Sequence, residues 1–274
     1  MRGFTSKIVK FLVWFVSSLT FISLIFIIGY ILVKGVVHLK PSLFALHYNS
    51  DNVSMFPAFV NTVIIAVLSL LFSVPLGVFT AIYLVEYAKR GSKIVEVIRV
   101  TAETLSGIPS IVYGLFGMLF FVYYLKMGTS IIAGSLTLTI MILPLIIRTT
   151  EEALIAVPDA YREASFGLGA GKIRTVFKAV LPSAVPGILA GVILAAGRIV
   201  GETAALLYTS GTVANLPKSV MSSGRTLALH MYVLSGEGLY FDEAYATAVV
   251  LLITVLLINT FSYSIARRLS GNEV

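Results

Sequence analysis

Two charged residues, Arg198 and Glu202, stand in a stretch from Pro186 to Tyr208 that carries no other charge. A charged side chain at the centre of a bilayer costs about 2.5–3.5 kcal/mol on insertion scales, so such residues are usually functional. Their four-residue spacing predicts that they share one helix face and pair. The forked donors of arginine suit a small oxyanion, and the glutamate would hold the arginine when no anion is bound. We therefore predict that both line a translocation pathway, the alternative being a neutral pair that only fixes helix packing.

A second unusual stretch, EASFGLGAGKIRTVFKAVLP, runs from Glu163 to Pro182 and is polar, basic and rich in glycine. Apolar residues at helical spacing on both sides of the glycines predict two short amphipathic helices joined by a hinge. The predicted stripes are Tyr161, Ala164, Ser165 and Leu168, followed by Ile173, Val176, Phe177 and Val180. We expect the first helix to begin at Pro158-Asp159, the second to end at Pro182, and Pro186 to open the next apolar segment. Such helices either lie on lipid or enter a groove on a soluble partner.

Several kinds of chemistry are excluded by composition and spacing. The chain contains no cysteine, which excludes disulfides, thiol catalysis and thiolate metal sites, and its three histidines lack metal-ligand spacing. The run Gly169–Lys172 resembles part of a phosphate-binding loop, but Phe166 and Ile173 stand where that loop requires glycine and a hydroxyl residue. We therefore expect no catalytic residue, no metal and no cofactor in this chain.

The composition indicates a membrane protein. Of the 274 residues, 58% are hydrophobic and 12% are charged, and the mean hydropathy is +0.97. Soluble domains have about 45–50% apolar and about 25% charged residues. A helix of about 20 apolar residues spans a bilayer. The sequence predicts one all-α membrane domain over residues 1–274, with a cytoplasmic loop at 148–185. The six predicted spans are Leu12–Val33, Pro57–Val85, Pro109–Leu125, Ile131–Ile147, Pro186–Tyr208 and Ala244–Ala266.

The basic residues predict the orientation. With the N-terminus inside, the inner segments hold 14 lysines and arginines and the outer segments hold five. Inner loops of membrane proteins carry the excess of positive charge. Both termini are therefore predicted to be cytoplasmic, and the net charge of +7 is explained by this bias and by anionic lipid.

The stretch from Glu163 to Pro182 resembles the signature loop of the permease subunits of ABC importers. That pattern reads E-A-A, three residues, G, nine residues, I, one residue, L-P, and Ala179 replaces its isoleucine here. In that family the loop is the coupling helix that fits a cleft on the ATPase subunit. The resemblance therefore implies that the contact with the ATPase is made by Glu163, Ala164, Ser165, Gly169, Leu181 and Pro182, where Ser165 replaces the second alanine.

Two further motifs resemble the phosphate-specific branch of these permeases, namely Ser106–Gly117 and Gly197–Ala205. The six-span layout and the length resemble the second permease subunit of that importer. The resemblance implies a type I (MetI-like) permease fold in the cytoplasmic inner membrane of a prokaryote. It also implies a second, non-identical permease, a separate ATPase dimer that hydrolyses ATP, and an external phosphate-binding protein, with no nucleic acid.

Two alternatives remain open from the sequence. The coupling motif does not indicate the solute, so sulfate, molybdate or another small solute would fit it equally well. An ion-coupled carrier is a different class, and it would carry more ionisable groups within its spans and often an inverted repeat. The sequence shows neither feature.

Overall fold

The computed structural model describes residues 2–89 and 91–269, and the chain over these ranges is built of helices and loops, as predicted. The helices are α1 Arg2–Val36, α2 Phe56–Ile82, α3 Lys93–Ser106, α4 Ser110–Gly117, α5 Ile131–Ile155, α6 Asp159–Gly167, α7 Lys172–Thr175, α8 Leu181–Val200, α9 Ala204–Thr209, α10 Leu227–Glu237 and α11 Phe241–Leu269. Wider π-helical turns extend α2 over Tyr83–Tyr87, extend α4 over Met118–Tyr124, and join α7 to α8 over Val176–Val180. A 3₁₀ turn lies at Pro41–Phe44. Arg90, one of the inner basic residues counted above, lies outside the described residues.

Within residues 2–89 and 91–269, five helices are long and apolar enough to cross a bilayer, and α3 with α4 makes a sixth span if the bent pair is counted as one. These spans are Val9–Val36, Phe56–Tyr87, Ile131–Ile155, Lys172–Val200 and Phe241–Ser264, with Lys93–Ser106 and Ser110–Tyr124 bent by 104°. The all-helical, six-span prediction is confirmed in this sense. The bounds differ, and the differences matter most in the third and fifth spans.

The predicted start and end of the fifth span were wrong. One continuous helix runs from Lys172 to Val200 and includes both Pro182 and Pro186, so Pro182 does not end the second amphipathic helix. A proline removes a backbone donor and clashes with the carbonyl four residues earlier. The π-helical turn just before Pro182, in which the Leu181 amide donates to the Val176 carbonyl, widens the helix and lets it continue. At the other end the helix stops at Val200, and a separate helix begins at Ala204.

The third span is preceded by a helix that the sequence analysis did not predict. The amphipathic helix α3 ends at Ser106, and α4 begins at Ser110 after a sharp bend. Pro109 disfavours helical backbone at the residue before it, which separates the two helices. The Tyr113 hydroxyl donates to the Leu105 carbonyl oxygen at 2.8 Å and braces the bend from α4 back to α3.

Helix α5 lies between α2 and α8 at the centre of the bundle. Close approach requires glycine on both neighbours: a Cβ on Gly77 of α2 would stand 2.6 Å from Ile146, and one on Gly191 of α8 would collide with Thr149. The Ser69 hydroxyl donates to the Ser135 carbonyl oxygen at 3.1 Å within this contact. Small residues and hydroxyl bonds hold membrane helices together where apolar burial provides little driving force. The central helices therefore form a rigid frame for the two charged regions described below.

Candidate functional site

The stretch predicted to dock a partner forms a helical hairpin at the end of the bundle where α2 and α5 finish. Helix α6 runs to Gly167, the chain turns, and α7 starts at Lys172. Gly169 has a φ of 81°, a left-handed conformation that glycine adopts without strain. The Ser165 and Thr175 hydroxyl oxygens lie 2.8 Å apart and join the two arms. The predicted helix–turn–helix is present, and we call residues 159–175 the coupling hairpin.

The apolar residues of the hairpin divide into two sets. Leu168 is 89% exposed and Ile173 is 68% exposed, and Tyr161 is exposed beside them. Val176 and Val180, which the sequence placed on the same stripe as Ile173, are instead fully buried at the base. The tip of the hairpin therefore presents apolar side chains outward, while its continuation packs into the protein.

The signature residues follow this division. Glu163, Ala164 and Gly169 lie exposed on the hairpin, and Ser165 is half-buried against Thr175. Leu181 and Pro182 lie further along the continuous helix, where Leu181 is half-buried and packs against the hydrophobic cluster at the base. That cluster joins the ends of three spans nearest the hairpin through Ala81, Ile82, Leu154, Val157, Val176, Val180, Ala184 and Ile188. The hairpin and the three spans thus share one apolar base.

Arg162 forms the densest polar contact of this region, and the sequence analysis missed it. Its Nη2 and Nε donate to Glu86 Oε1 at 2.8 and 3.1 Å, and its Nη1 donates to Asp159 at 3.1 Å. The guanidinium also donates to the carbonyl oxygens of Leu154 and Val157 at 2.9 and 2.8 Å. The local sequence signal was only the Asp159–Arg162 spacing, because Glu86 is 76 residues away. One side chain therefore links α6 to the end of α5 and to the extension of α2.

Arg198 lies on an exposed face of α8 and lines a groove of about 760 Å³ between α8 and α11. Asn259 of α11 lies opposite, and its Oδ1 is enclosed without a hydrogen-bond partner among the described residues. Apolar residues, including Leu145 and Leu194, form much of the remaining wall. Such a groove places a permanent cation beside an otherwise apolar surface.

The predicted pairing of Arg198 with Glu202 was wrong. Within the described ranges, no ion pair of 4.0 Å or less joins these two residues. Helix α8 ends at Val200, so the four-residue spacing no longer places both side chains on one helix face. Glu202, which precedes the N-cap residue Thr203, instead accepts a hydrogen bond at Oε1 from the Ala205 amide at 3.1 Å and satisfies one free amide in the first turn of α9.

The two motifs that resemble the phosphate-specific branch meet in space. A Cβ on Gly114 of α4 would stand 2.9 Å from the Ala205 backbone of α9. Gly117, one turn further, packs against Thr137 and Thr209. The bend between α3 and α4 and the break between α8 and α9 therefore belong to one packed unit.

A second buried polar cluster lies at the opposite end of the bundle. Arg225 is 4% exposed and has unpartnered Nε and Nη2 atoms among the described residues, and its guanidinium lies 4.8 Å from the centre of the Tyr48 ring. His230 of α10 is fully buried, with its ring 6.1 Å from that of Tyr48. Burial, and secondarily the charge of Arg225, lowers the pKa of His230 from 6.5 to about 3, against a smaller opposing effect of the Val53 backbone. His230 is therefore neutral at physiological pH.

Both the fold and the hairpin are those of a membrane permease, and comparison with known proteins shows the family. Residues 73–271 match the family described as binding-protein-dependent transport system inner membrane component. The chain belongs to this family and is a permease subunit of an ABC importer. Its place is in the inner membrane.

Two curated relatives cover most of the chain. The probable ABC transporter permease protein YqgI of Bacillus subtilis (strain 168) is 36% identical over 215 residues, which cover 73% of each chain. The phosphate transport system permease protein PstA of Mycobacterium leprae (strain TN) is 33% identical over 224 residues, which cover 79% of this chain and 73% of the relative. The predicted resemblance to phosphate permeases is confirmed at this level.

A solved structure shows the same fold. The crystal structure of a bacterial ABC transporter involved in the import of the acidic polysaccharide alginate aligns with a TM-score of 0.69 and 16% identity. The alignment covers 99% of this chain and 100% of that chain. The type I importer permease fold is thereby confirmed.

Proposed function

We propose that this permease translocates inorganic phosphate, with the ATP hydrolysed by a separate ATPase dimer. The observation that carries the proposal is Arg198, a cation on the open face of α8 without an intramolecular ion pair among the described residues. A guanidinium in a partly desolvated groove attracts a small oxyanion and offers it paired donors. Relatives named as phosphate permeases, at 33–36% identity, support the same solute.

In this proposal Arg198 and Glu202 have different roles in the pathway. Arg198 faces the groove and either contacts the anion or sets the electrostatic potential along its route. Glu202 holds the break between α8 and α9 by accepting a hydrogen bond from the Ala205 amide. The segment after the break packs on α4 at Gly114. The hydrogen bond of Glu202 therefore also positions the part of the pathway wall that follows Arg198.

The coupling hairpin is proposed to dock in a cleft of the ATPase. The outward-facing Leu168 and Ile173 support this role, because exposed apolar side chains on a short helical element suit a groove on a partner. Glu163, Ala164, Ser165 and Gly169 shape the hairpin, while Leu181 and Pro182 connect it to the span. Those six residues form the proposed coupling site.

The proposed assembly also includes a second permease and a binding protein, which we place by the predicted orientation of this chain. We place both termini and the hairpin in the cytoplasm, with a second, non-identical permease beside this chain in the membrane. A phosphate-binding protein would deliver the solute from outside to the face that carries α10.

The test is the solute selectivity of ATP hydrolysis. The full complex is reconstituted in liposomes with its binding protein, and hydrolysis is measured with phosphate, sulfate or molybdate. We expect phosphate to stimulate hydrolysis more strongly than the other two. The Arg198→Gln variant should lose phosphate uptake, whereas Arg148→Gln, which alters an exposed residue of α5, should keep it. Stimulation by sulfate or molybdate and not by phosphate would refute the solute assignment. Solute uptake driven by an ion gradient in the absence of ATP would instead indicate a carrier.

A further inference from the structure

The inner extension of α2 is tied to the coupling hairpin through an enclosed ion pair. The Arg162 side chain is 16% exposed and that of Glu86 is 9% exposed, and two guanidinium nitrogens donate to the same carboxylate oxygen. A surface ion pair contributes little because water screens it, but removal of one partner from an enclosed pair leaves a charge without compensation. This contact is therefore a strong constraint on the relative positions of α6 and α2.

The same guanidinium also fixes the end of α5. The last carbonyl groups of a helix lack intrahelical donors, and Arg162 donates to two of the carbonyl oxygens in that region, those of Leu154 and Val157. A second contact reinforces the link to α2, since Lys172 Nζ lies 5.1 Å from the centre of the Tyr87 ring. Both arms of the hairpin thus contact the π-helical turn Tyr83–Tyr87.

We propose that Arg162 is a positioning residue that makes the coupling hairpin and α2 move as one unit, with Glu86 as the attachment point on α2. This inference rests on the proposed function of the hairpin as the ATPase contact. A displacement of α6 would carry Glu86 with it, and α2 is a continuous helix from Phe56 to the attachment point. The movement would then reach the opposite end of the span near Phe59.

The test follows the far end of α2 directly and needs no solute. The chain has no cysteine, so Phe59→Cys, at an exposed position in the first turn of α2, is a single reporter. The labelling rate of this thiol is measured in the full complex without nucleotide and with ATP plus vanadate. We expect the labelling rate with ATP plus vanadate to differ from the rate without nucleotide in the otherwise unchanged chain. Glu86→Gln should reduce this difference by about tenfold, as expected for the loss of a charge-assisted hydrogen bond.

The matched control is Glu152→Gln, which removes the carboxylate of an exposed pair with Arg148 on α5, where both side chains are 65% exposed. It should leave the nucleotide dependence unchanged. Glu86 is outside the hairpin, so the ATPase should still copurify with Glu86→Gln and hydrolyse ATP. The double variant Glu86→Gln with Arg162→Gln should reduce the nucleotide dependence no further than the more severe single variant does, because both substitutions break the same contact.

Three results would overturn the inference. The first is a labelling rate at Phe59→Cys that does not change with nucleotide in the otherwise unchanged chain. The second is a nucleotide dependence of labelling in Glu86→Gln equal to that of the unchanged chain. The third is a double variant in which the reductions caused by the two single substitutions multiply. Phosphate uptake by the unchanged complex is measured in parallel. If the unchanged complex takes up no phosphate but its labelling rate responds to nucleotide as expected, the proposed solute is refuted and the link between the hairpin and α2 stands.

Discussion

His230 makes the stability of this protein dependent on pH. Its folded-state pKa is lowered to about 3, whereas its ordinary value is 6.5. The unfolded chain therefore binds a proton between these values that the folded chain does not. The contribution of His230 is fully present above about pH 6.5 and is lost as the pH falls towards about 3. At about pH 5 the difference amounts to about 2 kcal/mol of the free energy of unfolding.

The assay is equilibrium unfolding in mixed micelles at about pH 7.5 and about pH 5. The His230→Gln variant should lose the part of the pH response that belongs to this residue, so its decline in stability should be smaller by about 2 kcal/mol. His47 is exposed and provides the matched control. His47→Gln should retain the full pH response of the unchanged chain. An identical pH response in His230→Gln and the unchanged chain would refute the burial argument.

Three further predictions concern the coupling hairpin, the orientation and the pathway. Gly169→Val should weaken copurification of the ATPase while membrane insertion stays normal, because a β-branched residue is strained by about 1–2 kcal/mol at positive φ. The control is Gly167→Ala, at a helical position with open space around it. Unchanged copurification in Gly169→Val would contradict the docking role of the hairpin. In single-cysteine chains, Ser219→Cys should react with an impermeant thiol reagent added outside and Ser92→Cys should not; the reverse would overturn the topology. Glu202→Ala should lower stability by about 1 kcal/mol through loss of the hydrogen bond to the Ala205 amide, and it should reduce phosphate uptake. Unaltered uptake at matched protein levels would contradict the positioning role.

The spans were predictable because a bilayer imposes a minimum apolar length. Their ends were not, since helix-breaking residues are accommodated in membrane helices by local changes of hydrogen bonding. The two prolines Pro182 and Pro186 predict a boundary between helices, yet the π-helical turn before them keeps the helix continuous. A real break occurs instead at Gly201, where the sequence pattern suggested an uninterrupted helix.

The charged residues show the same limit of local reasoning. The spacing of Arg198 and Glu202 predicted a pair only on the assumption of one helix, and the break removes that condition. Arg162 and Glu86 form the enclosed pair at the base of the coupling hairpin, but they are 76 residues apart and nothing in the local sequence links them. The hairpin itself was predictable, because its glycines and apolar spacing lie within one short segment.

The most direct measurement of ATP-driven phosphate import is phosphate accumulation in liposomes that contain the complete complex, with ATP enclosed in the lumen and the binding protein outside. We expect uptake that requires the binding protein and ATP, and a sharp loss of that uptake in Arg198→Gln at matched subunit levels. Normal uptake in Arg198→Gln, or phosphate uptake without ATP, would refute the proposed function.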